Sequence, residues 1–270
     1  MTIIFKANSP DAYHIKILIE LLSCNIKTGC FEIDAKGMYL CMMDQHRKIL
    51  LDVVLNADDF SLYKFNSEKM YLGINLNHLH KLTRSIKKKD KLELFIDDDF
   101  PTELNIKVIP KENDRSTVST VKIQNIQNLV VDRPTGYGKP ITVISSHYSK
   151  MCKELNTIGS SLLEVSAKKY NICFYCNQGG ILKRKVNFGH VEEDESDVIN
   201  KGDYFQEFYT EQLCRISKIA GLSNNIKIYP GKPLKFNSNI GTLGKIDIYI
   251  KSKEQIQSEV TIDPDNYDSD

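Results

Sequence analysis

Leu79-His80-Lys81-Leu82-Thr83-Arg84 and Leu213-Cys214-Arg215-Ile216-Ser217-Lys218 read alike position by position: leucine, any residue, base, aliphatic, hydroxyl, base. Both fall where apolar spacing predicts a helix. A second echo lies elsewhere. Phe31-Glu32-Ile33-Asp34-Ala35-Lys36 is matched by Leu163-Glu164-Val165-Ser166-Ala167-Lys168, and Cys41 by Cys173. The first pair is 134 positions apart and the second 132. The chain therefore reads as one unit written twice. Such a repeat takes precedence over any single-segment reading, because it sets the architecture.

Composition agrees with two medium-sized domains. The chain has 270 residues, 41% hydrophobic and 26% charged, which is ordinary for a globular protein. The net charge of +1 conceals an uneven distribution. Glu254 to Asp270 holds six acids and no base, and Glu192 to Asp197 holds five acids. The remainder is more basic than the total suggests, which permits a nucleic-acid surface. Seven cysteines without paired spacings point to a reducing compartment rather than a disulfide framework. Cys173 and Cys176 have CxxC spacing inside a strand-like run, so their thiols face opposite ways, and no second pair completes a metal site. The start of the chain lacks a signal-peptide pattern. No apolar run approaches the roughly 20 residues that span a bilayer.

Taken in order, the first copy predicts a strand at 3–7 and a helix from Asn8-Ser9-Pro10-Asp11 to Asn25. A hairpin about Lys36-Gly37 and strands at 48–55 and up to 72–73 follow, then a helix at 75–86, a hairpin at 91–109 and a last strand at 118–126. Gln127 to Lys139 is rich in proline, glycine and polar residues and reads as a connector. The second copy predicts helices at 146–158 and 209–221, with strands at 162–166, 171–176, 181–188, 225–229, 234–238 and 245–250. An acidic loop at 190–202 interrupts them. The expected organisation is thus 1–126, connector 127–140, 141–253, and an acidic tail 254–270 without fixed structure. Short turns between strands imply antiparallel sheets, and helices covering one face make the class α+β.

The bases fall on the helices. Lys81 and Arg84, Lys150 and Lys153, and Arg215 and Lys218 are each three apart, and Lys16 stands on the first helix. A single base on an exposed helix face is ordinarily just solvated. Its repetition in both copies suggests one continuous surface. Lysine and arginine without a base-reading set bind phosphates regardless of sequence.

Several stretches, in order, resemble one family. They are Gly37-Met38-Tyr39-Leu40-Cys41-Met42-Met43-Asp44, Leu72-Gly73-Ile74-Asn75-Leu76, Met151 to Gly159, and Ile240-Gly241-Thr242-Leu243-Gly244-Lys245-Ile246-Asp247-Ile248-Tyr249-Ile250. Over roughly residues 3–253 the chain resembles the eukaryotic-type DNA sliding clamps, the proliferating cell nuclear antigen family. The resemblance implies two similar clamp domains per chain, antiparallel sheets outside and short helices lining a central hole. It implies a homotrimeric ring on duplex DNA, bound without sequence preference, that tethers a DNA polymerase and other replication and DNA repair enzymes carrying clamp-binding peptides. A clamp loader is implied too, and no active site, metal or cofactor. By that match Lys16, Lys81, Arg84, Lys150, Lys153 and Lys218 face the DNA, and Arg215 joins them on the repeat alone. The partner pocket would be formed by Met43, Leu129, Val131, Pro233, Tyr249 and Ile250. The site of action would be the nucleus, or a cytoplasmic replication site for a virus.

The sequence departs from the family pattern. His46 comes one residue early after Met43-Asp44, Lys251-Ser252-Lys253 replaces a proline, Ser23 stands where a base is expected, and the connector is glycine-rich at Thr135-Gly136-Tyr137-Gly138. Two other readings stay open. The fold could serve as a monomeric processivity subunit or as one member of a hetero-ring. A metal-dependent nuclease would have to use Asp44 and Asp97-Asp98-Asp99, which lack a complementary Glu or His.

Overall fold

Alternating apolar and polar residues build the strands. In Leu162–Lys168, Leu163, Val165 and Ala167 are buried while the residues between them are not. The computed structural model describes residues 3–112, 115–126, 130–189 and 204–262. The first half contains β1 (Ile3–Ser9), α1 (Ala12–Ser23), β2 (Thr28–Asp34), β3 (Gly37–Met43), β4 (Ile49–Asn56) and β5 (Leu62–Phe65). It continues with β6 (Met70–Asn75), α2 (Leu76–Thr83), β7 (Lys91–Asp97), β8 (Glu103–Ile109) and β9 (Thr117–Lys122). The second half contains β10 (Ile141–Ile144), α3 (Ser145–Ile158), β11 (Leu162–Lys168), β12 (Asn171–Gln178) and β13 (Leu182–Gly189). It closes with β14 (Tyr204–Tyr209), α4 (Thr210–Arg215), β15 (Asn225–Tyr229), β16 (Leu234–Asn239), β17 (Gly244–Ile250) and α5 (Lys253–Ile262).

The strands form three sheets with orders β5-β1-β7-β8-β9, β10-β15-β16-β17-β4-β3-β2-β6, and β13-β12-β11-β14. Every pairing between named strands is antiparallel. The middle sheet is shared: β17 of the second half pairs with β4 of the first, from Gly244 opposite Leu55 to Ile250 opposite Ile49. One hydrophobic cluster runs through both halves.

The pairings fix the internal repeat. Asp34 lies opposite Gly37, and Lys168 opposite Asn171, so β2 and β11 correspond with an offset of 134. The same offset relates Leu79 to Leu213. The echo of Phe31 in Leu163 is therefore out by two. A slip of two keeps every side chain on its own face, so alternation alone cannot separate 132 from 134.

Three further expectations are corrected. The helix expected at 209–221 stops at Arg215 and resumes as a 3₁₀ turn, Ser217–Gly221. Leu213, Ile216, Ile219 and Leu222 are all fully buried. That spacing of three suits a helix with three residues per turn, where i and i+3 eclipse. Strand β14 occupies the run Tyr204-Phe205-Gln206-Glu207-Phe208-Tyr209, ahead of α4, where no strand was expected. The tail from Glu254 is not without structure at its start, because Lys253–Ile262 form α5. Ser252 Oγ accepts from the Gln255 N–H at 3.3 Å, and Gln255 Oε1 accepts from the Ser252 N–H at 3.0 Å. This is a reciprocal capping box. The pairs Lys232–Glu254 (2.9 Å) and Lys251–Glu259 (2.7 Å) offset two of the tail's acids, and Lys253–Glu207 (3.0 Å) ties the helix to β14. The acidic loop 190–202 and residues 263–270 lie outside the described residues.

Because β17 joins the halves, its buried face should carry much of the stability. Ile248→Ala is expected to lower the unfolding free energy by about 2–5 kcal/mol, measured by denaturant titration. Thr142→Ala, exposed on β10, should change it by less than about 0.5 kcal/mol. Equal effects would contradict the central place of this strand.

Candidate nucleic-acid interface and connector pocket

α1, α2 and α3 are each fixed at one end by a capping residue. Asp11 caps α1 by accepting from the His14 N–H, and Asn75 caps α2 in the same way at 3.0 Å. Gly159, left-handed at φ 74°, ends α3 and donates to Leu155 O at 3.2 Å. The helices then stand side by side. α1 packs against α2 on one side and the 217–221 turn on the other, and that turn and α4 pack against α3. Tyr148 of α3 donates its hydroxyl to Leu213 O at 3.1 Å. The order across the layer is α2, α1, α4 with its 3₁₀ turn, α3.

Polar contacts show which bases share this layer. Lys16 Nζ donates to Ile86 O at 2.9 Å, beyond the end of α2. Lys81 and Arg84 are exposed on and just after that helix. Lys16 and Lys88 both lie over the Tyr13 ring, at 5.8 and 5.7 Å. Lys218 pairs with Glu20 of α1 at 2.6 Å. Lys150 and Lys153 are exposed on α3, where Glu154 is held by Arg184 at 2.7 Å. Glu20, Glu154 and Glu211 are the only acids on α1 to α4, and the first two are neutralised by bases. Arg215 is different. Its Nε donates to Cys24 O at 3.2 Å, and its guanidinium sits 3.7 Å from the buried Asp44 carboxylate. Asp44 itself closes the β3–β4 turn, accepting from the Lys48 and Ile49 N–H groups at 2.7 and 2.8 Å.

The connector is clamped where the halves join. Asp52 of β4 lies directly opposite Asp247 of β17, and like charges in that relation repel. Each has its own cation. Arg133 grips Asp52 with two hydrogen bonds, Nε at 2.7 Å and a terminal nitrogen at 3.1 Å, and that carboxylate holds the guanidinium in its charged form. Lys235 pairs with Asp247 at 3.2 Å. Its ammonium lies 5.6, 5.3 and 5.2 Å from the rings of Tyr137, Tyr229 and Tyr249. Burial works against that charge, but Asp247 and Tyr249 outweigh it and raise its pKa. Tyr137 of the connector packs on Tyr249 at 6.0 Å and donates to Pro233 O at 2.8 Å. Burial pushes its phenol up. Gly231 makes room, since a Cβ there would lie 2.7 Å from the Tyr137 ring.

Residues 4–131 match the family described as proliferating cell nuclear antigen, N-terminal domain. The chain is 26% identical to the proliferating cell nuclear antigen of Chaetomium thermophilum, over 92% of this chain and 97% of that one. It is 24% identical to a probable DNA polymerase sliding clamp of Acanthamoeba polyphaga mimivirus, over 79% of this chain and 47% of that longer protein. The crystal structure of the antigen from Entamoeba histolytica superposes with a TM-score of 0.80, at 18% identity, over 93% of this chain and all of that one. The chain therefore has the fold of the family, antiparallel sheets with a few short helices.

Set against that fold, Lys16, Lys81, Arg84, Lys150, Lys153 and Lys218 belong to one helical layer, and Arg215 is committed to a junction. Met43, Val131 and Pro233 are partly exposed. Tyr249 lies beneath Tyr137, and Ile250 is fully buried opposite Ile49. Leu129 lies outside the described residues. Sequence reasoning missed Arg133, Tyr137 and Lys235. Arg133 was legible only as a turn residue beside Pro134, because its partner is 81 positions away.

Arg133→Gln is expected to cost about 1–3 kcal/mol, since it leaves Asp52 facing Asp247 with one cation fewer. Asp52→Asn in the same chain should restore most of that loss in a double-mutant cycle. Additive losses would mean that the ion pair does not hold the connector.

Proposed function

We propose that this chain is a DNA sliding clamp, a ring of three copies that encircles duplex DNA and tethers replication and repair enzymes to it. The pairing of β17 with β4 is the observation that carries this reading. The repeat gives each of those strands a counterpart whose outer edge is unpaired among the described residues. Following the pairings, Val121 of β9 corresponds to Ile250, Ser119 to Ile248 and Thr117 to Ile246. Leu182 of β13 corresponds to Ile49, Arg184 to Leu51 and Val186 to Val53. β9 and β13 each end a sheet, and Val118 and Leu182 are half-exposed on them. An unpaired strand edge invites another strand. Repeating the internal junction between copies sets Val121 opposite Leu182, Ser119 opposite Arg184 and Thr117 opposite Val186. Such a head-to-tail contact closes into a ring when the rotation allows it. Three copies is the number implied by the family resemblance, whose domain limits at 126 and 141 this reading adopts.

In that ring the helical layer faces the hole. Lys16, Lys81, Arg84, Lys150, Lys153 and Lys218 then meet phosphates through charge and counterion release, which suits sliding because no base is read. Arg215 acts as a brace for the β3–β4 turn. Clamp-binding peptides of a polymerase and other enzymes would dock by Met43, Leu129, Val131 and Pro233 on a floor made by Tyr137, while Tyr249, expected to line the pocket, and Ile250 are buried and support that floor from the core. A clamp loader would open one β9–β13 contact. The proposed action is mechanical, without catalysis or cofactor, in the nucleus or at a viral replication site.

Two experiments test this. Val121→Cys combined with Leu182→Cys should give oxidised, covalently linked copies, because facing strand residues lie within disulfide reach. Val121→Cys with Lys183→Cys should link far less, and equal linking would overturn the register. Changing Lys81, Arg84, Lys150 and Lys153 to Gln should reduce the slope of log affinity against log salt on duplex DNA by about 0.9 for each phosphate no longer neutralised. An unchanged slope would place the duplex elsewhere.

A further inference from the structure

A second recess lies away from the connector, between the β3–β4 turn, the end of α3 and the β14–α4 corner. Its volume is about 720 Å³, within the range of ligand pockets. Lys48, Tyr209, Thr210, Gln212 and Arg215 line it, with Glu211 and His46 at the same opening. Gln212 is only 4% exposed, yet neither its amide nitrogen nor its oxygen has a hydrogen-bond partner among the described residues. The Thr210 hydroxyl, 5% exposed, is likewise without one. Buried polar groups are otherwise almost always paired, so three such atoms beside one recess, closed over in the free chain, gain partners once a side-chain rotation turns them to an occupant. Lys48 Nζ lies 5.0 Å from the centroid of the Tyr209 ring, with no carboxylate in ion-pair range among the described residues. Arg215 is already matched by Asp44.

We propose that this recess binds an extended peptide segment of a partner protein, one that carries a carboxylate side chain. The Gln212 amide offers a donor and an acceptor together. A peptide backbone supplies both complements, its C=O to the amide nitrogen and its N–H to the amide oxygen. A phosphodiester only accepts and would leave Gln212 Oε1 unpaired, and a duplex, whose groove edges could pair such an amide, is too wide to enter a recess of this volume. The Thr210 hydroxyl can meet either end of a peptide group, and Lys48 takes the carboxylate. The site needs no ring and no DNA, so its success or failure is independent of the clamp reading.

The test uses the full chain and a fluorescein-labelled acetyl-Ala-Glu-Ala-Glu-Ala-amide, followed by fluorescence anisotropy. Saturable binding is expected. Gln212→Leu should weaken it about tenfold or more by removing both hydrogen bonds, and Lys48→Gln, at the edge of the recess, should weaken it severalfold. Lys227→Gln on the exposed side of β15 should leave it unchanged. The peptide with glutamine in place of glutamate should bind more weakly, and inorganic phosphate should not displace the probe at matched concentration. No saturable binding, or equal affinity in the Gln212 and Lys48 variants, would overturn the proposal. Displacement by phosphate would replace the peptide with a simple anion. Should Gln212→Leu fold poorly, Lys48→Gln and the glutamine peptide still decide the outcome.

Discussion

The antiparallel contact between β4 and β17 is what the rest of the structure depends on. It converts two half-chains into one eight-stranded sheet, with Ile246, Ile248 and Ile250 set against Val53, Leu51 and Ile49. The burial of such side chains contributes roughly 1.5–3 kcal/mol each. The same contact sets Asp52 against Asp247. That repulsion is answered by Arg133 from the connector and Lys235 from β16. The segment between the halves is thereby fixed by the junction it crosses, and Tyr137 is laid over Tyr249. Packing, electrostatics and the shape of the connector surface therefore follow from one strand pairing.

On the helical layer the decisive feature is where acids are absent or already matched. α2 carries no acid at all, and Glu20 and Glu154 are paired with Lys218 and Arg184. Exposed lysines on short, separately capped helices present positive charge without the planar, base-reading geometry that arginine or asparagine pairs give in a groove. In the proposed ring a surface of that kind would hold a phosphate backbone loosely and everywhere alike, as sliding requires.

Much of this was legible in the chain itself. The repeat, the antiparallel α+β class and the buried stripe Tyr148, Met151, Cys152 and Leu155 on α3 follow directly from periodicity. The rest was hidden for specific reasons. The offset error arose because a strand repeats every two residues. The broken fourth helix shows itself only if a spacing of three at Leu213, Ile216, Ile219 and Leu222 is separated from a helical stripe. The capping box Ser252-Lys253-Glu254-Gln255 was masked by the acidity of the tail. β14 was obscured because its aromatic run passes straight into α4 without a turn residue. The partners of Arg133 and Lys235 depend on strand pairing across the chain, which no local pattern carries. Nor does any local pattern reveal that Gln212 is buried without a partner.

The most direct test of the central claim is the solution mass of the purified chain, by light scattering on a sizing column across a range of concentrations. If the edges of β9 and β13 repeat the internal junction, the mass should be about three times 30.9 kDa and hold on dilution into the micromolar range. A stable mass of one chain would contradict the self-closing ring while leaving the fold and the internal junction as described.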